Sequence, residues 1–122
     1  MKDKNVFGDP LIVCGQDPVT GYFRDACCNT DDSDLGMHTV CIVATEAFLE
    51  YSYDKGNDLI TPMPDWGFPG LKPGDKWCLC ALRFKEAMND GFAPKVVLEA
   101  TNEKTLDLVS MDELLKYAYY EK

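Results

Sequence analysis

The sequence has one histidine, His38, and two tryptophans in 122 residues. It is also short of positive charge: 12 Lys and Arg against 21 Asp and Glu leave a formal net charge of −9. That balance argues against general nucleic-acid binding, where phosphate neutralisation supplies most of the non-specific affinity. It argues equally against docking on an anionic membrane surface. No apolar run approaches the roughly 18 residues that a membrane span needs. The opening MKDKNVFGDPLIVCG has Lys2 and Lys4 but no apolar h-region, because Asp3, Gly8, Asp9 and Pro10 interrupt it. No signal peptide is expected there. Internal repeats and low-complexity tracts are absent. So are the phosphate loop G-x-x-x-x-G-K-[ST], the G-x-S-x-G elbow, the H-E-x-x-H helix and the C-x-x-C redox pair. The acidic run DDSD (31–34) fails the EF-hand register, since counting from Asp31 puts Leu35 at position 5 and Ile42 at position 12. It reads as a solvated turn.

What the sequence does have is cysteine: six residues, with Cys27 and Cys28 adjacent in RDACCNT (24–30), Cys41 closing HTVC, and Cys78 and Cys80 in WCLC. In a secreted chain an even count would suggest disulfides. With no export signal the expected compartment is the cytoplasm, where thiols stay reduced. There the same count points to metal, redox chemistry or plain burial. The length fits one domain, 1–122, and 46% apolar residues are enough for a core.

Residues 1–37 are dominated by turn formers, with short strands conceivable at Leu11–Cys14 and Gly21–Arg24. HTVCIVA (38–44) is a β-branched run and reads as a buried strand. Thr45 can cap a helix from Glu46 to about Lys55, stopped at Gly56. The stretch 56–75 carries four prolines and four glycines, so no helix or central strand can run through it. It reads either as a functional loop or as a cover in which Leu59, Trp66, Phe68 and Leu71 pack over the core. KWCLCA (76–81) reads as a strand and about Leu82 to Asp90 as a helix ended by Gly91. KVVLEAT (95–101) and the alternating KTLDLV (104–109) read as further strands. Ser110 and Glu113 have capping-box spacing, and Met111, Leu114, Leu115, Ala118 and Tyr119 then fall on one helical face. The irregular alternation of strands and helices predicts an α+β domain with a small mixed sheet, about three helices and the long Pro/Gly-rich loop.

The stretches DPVTGYFRDACCNT (17–30), GMHTVCIV (36–43), GNDLITP (56–62), FPGLKPGDKWCLCALRFKEA (68–87) and APKVVLEAT (93–101) carry a resemblance that runs almost end to end. The chain resembles the bacterial family catalogued as domain of unknown function 2237. The resemblance implies no assigned activity. It does imply that Cys27, Cys28, Cys41, Cys78 and Cys80 belong to a shared pattern. It also implies a histidine in the family's usual ATHE, where this chain reads ATNE with Asn102.

Strand parity brings the cysteines together. Cys78 and Cys80 share one face of their strand, with Trp77 and Leu79 on the other, while Cys41 and Val43 share a face opposite Val40 and Ile42. If the two strands are neighbours, Cys41 lies near Cys78 or Cys80. Cys27, Cys28 and His38 arrive from the preceding loop. Three chemistries fit such a pocket. As metal ligands, Cys27, Cys41, Cys78 and Cys80 have the right atoms for zinc, although C-C and C-x-C are not zinc-knuckle spacings. As a redox pair, Cys27 or Cys28 could bridge to Cys78 or Cys80. As a catalytic pair, Cys28 is the candidate nucleophile and His38 its base. The leading reading is binding of a small ligand or metal in this pocket, with Arg24, Asp25 and Trp77 as its neighbours, ahead of catalysis because no complete catalytic set is visible. Arg24 or Arg83 could hold an anionic ligand, and Asp25 could orient the histidine or pair with Arg24. The alternative is a structural or interaction domain whose cysteines pack as small apolar residues.

Overall fold

The computed structural model describes residues 3–16 and 19–119, with the backbone alone at Trp66. Residues 17–18 of the turn-rich N-terminal stretch and the expected packing of the Trp66 side chain therefore lie outside the described residues. The fold is α+β. Strand β1 (His38–Val43) leads through Thr45 into helix α1 (Glu46–Asp54). Strand β2 (Lys76–Cys80) runs directly into helix α2 (Ala81–Asp90). Strand β3 (Lys95–Val96) follows, then two 3-10 turns, and helix α3 (Met111–Lys116) comes last. The sheet order is β2-β1-β3 and both pairings are antiparallel. The parallel component of the expected mixed sheet is a single bridge, Val96 to Ala118.

Local chemistry accounts for the element ends. The Thr45 hydroxyl accepts from the Phe48 amide, and the Ser110–Glu113 capping box is complete. Gly91 ends α2 in the left-handed conformation, which a side chain would disfavour. Between Gly56 and Asp75 the chain makes one 3-10 turn (Pro64–Trp66) and a Met63–Phe68 bridge, and it buries Leu59 and Leu71.

Three expected strands are replaced by other structure and a fourth is cut short. KVVLEAT pairs only at Lys95 and Val96. The Val97 amide then donates to the Cys41 carbonyl, and the chain turns into a 3-10 helix at Leu98–Ala100. KTLDLV is also 3-10, over Glu103–Asp107, because the Asn102 side chain caps it by accepting from the Lys104 amide. Leu11–Cys14 and Gly21–Arg24 form no strand and lie in turns and loop. Helix α3 ends at Lys116, before Ala118 and Tyr119 of its expected face. Leu114 is fully buried while Leu115 is exposed. Residues 117–119 instead run beside Val96, whose amide donates to the Tyr117 carbonyl and whose carbonyl accepts from Tyr119.

The sheet has two buried faces of different character. Val40, Ile42, Trp77 and Leu79 point into the main apolar core with Phe48, Phe84, Val96 and Leu114. Cys41 and Cys78 point the other way, into a small layer with Cys14, Cys28 and Ala100. Among the described residues no α-helix contributes to that layer; the N-terminal loops and Ala100 of a 3-10 turn cover it, and sulfur fills the thin space between.

Candidate functional site

Four of the six cysteines are joined. Cys14 bonds Cys41, with Cα atoms 5.7 Å apart, and Cys28 bonds Cys78, with Cα atoms 5.4 Å apart. Cys27 and Cys80 are free and partly buried. The Cys28–Cys78 bridge is one of the pairings the redox reading allowed, and the default of reduced thiols does not hold for these four cysteines. Neighbouring strands do bring Cys41 opposite Cys78, as parity required. The two are not bonded to each other: each crosses to the N-terminal loop. Cys14, outside the expected cluster, is one of the anchors. Cys28, the expected nucleophile, has no thiolate to offer while it is bonded to Cys78. The expected metal set divides in the same way, with Cys41 and Cys78 in disulfides and Cys27 and Cys80 outside them.

The two free thiols differ. Cys27 sits beside Asp25, and its own burial, reinforced by that carboxylate, pushes the thiol above its usual pKa. Cys80 is the N-cap residue of α2, where the first-turn amides of a helix lack intrahelical partners and favour negative charge. The first turn of α2 holds no acidic residue and does hold Arg83.

His38 is placed opposite Cys80 by a bulge. Val40 pairs with Leu79, and in a regular ladder Thr39 would face Cys80. The register shifts between His38 and Val40, so His38 is the partner of Cys80. A one-residue bulge turns a side chain to the other face of a strand, and bulges are common beside active sites. Here the shift makes His38, and not Thr39, the residue opposite Cys80. Backbone strain clusters at the same place. Met37, just before His38, has φ 50°, and Arg24 and Ala26 have φ 56° and 72°.

The imidazole is held from behind by Asp34. Asp34 Oδ1 is 2.6 Å from His38 Nδ1, and its side chain is fully buried, whereas that of His38 is 40% exposed. The other carboxylate oxygen accepts from the His38 amide at 2.9 Å and from the Thr30 hydroxyl at 3.0 Å. A carboxylate on Nδ1 fixes the tautomer that leaves Nε2 free for chemistry. Gly36 makes room for the ring, since a Cβ there would lie 2.9 Å from His38 Cε1. The DDSD run read as a solvated turn therefore contains the residue that orients the histidine. Asp25 has neither expected role: its carboxylate accepts from the Cys27 amide and the Asn29 side chain, closing its own loop.

His38 and Cys80 open into a cleft of about 820 Å³ whose wall includes Arg24, Phe68, Trp77 and Arg83. The Arg24 guanidinium stacks over the Trp77 ring at 5.1 Å and donates to the Gly21 carbonyl. Arg83 donates to the Lys55 carbonyl and lies 3.5 Å from Glu86. Asp58 also lines the cleft, but hydrogen bonds from Thr61 and Ile60 occupy its carboxylate and hold its pKa below the usual range. The cleft thus gathers a thiol, an oriented imidazole, two guanidinium groups and aromatic faces.

One comparison places the chain. It belongs to the family described as uncharacterised proteins conserved in bacteria, domain of unknown function 2237. The family model matches residues 4–118, which include every residue of the cleft and all four bonded cysteines. No curated protein matches the sequence. Asn102, where the resemblance implied a histidine, is fully buried and lies outside the cleft wall. Its amide nitrogen donates to Asp3 and to the Cys28 carbonyl. That ties the N-terminal loop to the disulfide layer, so in this member of family 2237 position 102 is a packing position. Among the described residues no helix is long and apolar enough to cross a membrane.

Proposed function

We propose that this protein is a thiol-dependent enzyme acting on a small anionic substrate, with Cys80 as nucleophile, His38 as base and Asp34 as the residue that orients the base. The observation that carries the reading is the Asp34–His38 contact at 2.6 Å, together with the bulge that makes His38 the partner of Cys80. Acyl transfer is the reaction type that suits these groups. The Cys80 proton passes to His38 Nε2 as sulfur bonds to the substrate carbonyl carbon. The Ala81 amide donates to the Met37 carbonyl, so the remaining first-turn amides of α2 would be the donors offered to the carbonyl oxygen as it gains charge. His38 then returns the proton to the leaving group, and water or a second nucleophile releases the acyl group from sulfur. Arg24 and Arg83 supply the positive charge that selects an anionic substrate. Trp77 and Phe68 supply apolar walls, as small-molecule sites commonly have.

Alkylation tests this with no substrate in hand. Iodoacetate is anionic and iodoacetamide is its neutral counterpart. Peptide mapping after a short exposure at pH 7 is expected to find Cys80 labelled about tenfold faster than Cys27. The preference for iodoacetate over iodoacetamide should be larger at Cys80. His38→Gln should remove most of the rate advantage while leaving the thermal midpoint within a few degrees. Equal rates at Cys27 and Cys80, or a rate at Cys80 indifferent to His38, would refute the assignment.

A further inference from the structure

The sulfur layer on the second face of the sheet includes neither the proposed nucleophile nor its base, although Cys78 also lines the cleft. Cys14, Cys28, Cys41 and Cys78 come from four different segments and are each at least 97% buried. The Sγ atoms of Cys14, Cys28 and Cys78 all lie within 4.8 Å of one another, and the Cys41 Sγ is bonded to that of Cys14. Two disulfides could occupy opposite ends of a domain of this size. Here they share one site.

We propose that the reduced chain binds one zinc ion at this site, on Cys14, Cys28, Cys41 and Cys78. Tetrahedral thiolate zinc has Zn–S bonds of about 2.3 Å, which sets the sulfurs about 3.8 Å apart. Opening each bridge to that separation moves each sulfur by about 1 Å, within the reach of a χ1 adjustment, and Cys41 Sγ, more than 4.8 Å from at least one sulfur of the other bridge, must also close on it. The frame around the site survives the change. The Cys41 amide donates to Thr101 Oγ1, the Cys78 amide to Thr20 Oγ1 and the Cys14 amide to the Ala26 carbonyl, while the Cys28 carbonyl accepts from Asn102. None of these bonds uses sulfur. The β1–β2 register holds two ligands side by side, and the strapped loops bring the other two. The set read from the sequence shares Cys41 and Cys78 with this one and lacks Cys14 and Cys28, which no spacing marks as ligands.

The two forms differ by four electrons. Each disulfide takes two electrons and two protons from a dithiol reductant, which leaves as its own disulfide. The four thiols then lose their protons to solvent as zinc binds the thiolates. Oxidation reverses the sequence and releases the ion. The same four residues thus cross-link the second face in either condition, covalently when oxidised and through the metal when reduced. Cys27 and Cys80 take no part.

The test uses the full chain, reduced with excess dithiol, desalted under anaerobic conditions and titrated with cobalt(II) as a spectroscopic probe. One cobalt per chain is expected, with the intense visible bands and thiolate charge transfer of a tetrahedral sulfur site, displaced by one equivalent of zinc. Alkylation of the zinc form should label two thiols, Cys27 and Cys80, and spare the other four. The Cys27→Ser/Cys80→Ser chain should bind cobalt unchanged. Cys14→Ser and Cys41→Ser should each weaken binding by about tenfold or more. Where those two variants fail to fold, the thiol-protection pattern and the double variant still decide. Absence of the tetrahedral thiolate spectrum, labelling of all six thiols in the presence of zinc, or loss of binding in the Cys27→Ser/Cys80→Ser chain would overturn the proposal. Because that double variant lacks the proposed nucleophile, zinc binding and thiol-dependent catalysis stand or fall separately.

Discussion

Replacing Cys28 and Cys78 together by alanine should cost this protein a large part of its stability. The bridge joins residues 50 apart in sequence. In the chain-entropy treatment, closing a loop of that length removes about 14 cal/mol/K from the unfolded state, or about 4 kcal/mol at 25 °C. Both sulfurs are buried, and their loss adds about 1 kcal/mol each if a sulfur counts roughly as a methylene. An unfolding entropy of about 2.1 cal/mol/K per residue gives about 0.26 kcal/mol/K for a chain this long. The thermal midpoint should therefore fall by about 15 °C on the entropic part alone. The Cys14–Cys41 loop spans 27 residues and gives about 3.5 kcal/mol by the same formula. The two loops share residues 28–41, so the effects should add to less than their sum. Guanidinium unfolding of the oxidised proteins, followed by tryptophan fluorescence, measures the difference; Trp77 adjoins the bridge. Cys27→Ala and Cys80→Ala serve as controls and should each change stability by less than about 1 kcal/mol. If the Cys28→Ala/Cys78→Ala chain falls within about 1 kcal/mol of the unaltered protein, the bridge is not part of the solution fold and the reasoning fails.

Two further outcomes follow from single contacts. Gly36→Ala should slow alkylation at Cys80 while costing about 1 kcal/mol or less in stability, because the three atoms nearest the new Cβ belong to the His38 ring, which it displaces from rotamer; an unchanged rate would separate ring position from thiol reactivity. Tyr51 donates to Asp90 and to the Glu86 carbonyl, and burial together with the Asp90 carboxylate pushes its pKa up to about 12. A raised pKa stabilises the protonated fold, so this contribution is complete below pH about 10 and is lost as the pH rises through about 12. Stability measured across that window should fall less steeply in Tyr51→Phe than in the unaltered protein, and parallel curves would remove the Tyr51–Asp90 contact from the account.

Periodicity and end signals located most of the frame. The β-branched run at 38–44, the cap at Thr45, the stop at Gly91 and the Ser110–Glu113 box each act within a few residues, and each is present in the structure. Parity placed Cys41 and Cys78 on one face because it depends only on the pleat. The failures share another cause. KVVLEAT has strand propensity throughout, but after Val96 its amides find the Cys41 carbonyl and then 3-10 partners instead of a further strand. KTLDLV alternates in hydropathy, yet Thr105 and Val109, four apart, are the residues turned inward. Tertiary partners decided both. The site was legible in its residue types and not in its pairings. Cys80 and His38 were visible as candidates, but the bulge at Thr39 that makes them partners has no sequence signature here. Asp34 was hidden among neighbouring acids, its one local signal being its position four residues before the only histidine. Cys14 lay in a turn-rich stretch with no periodicity to mark it.

The two bridges also set how the chain responds to being cut. A break anywhere between residues 15 and 40 leaves its two pieces joined through Cys14 and Cys41, and a break between 29 and 77 leaves them joined through Cys28 and Cys78. Together these intervals cover every peptide bond from 15 to 77, including the whole Pro/Gly-rich stretch. A protease that nicks those loops would leave one covalent particle with two extra chain ends, and only a reductant would let the fragments part.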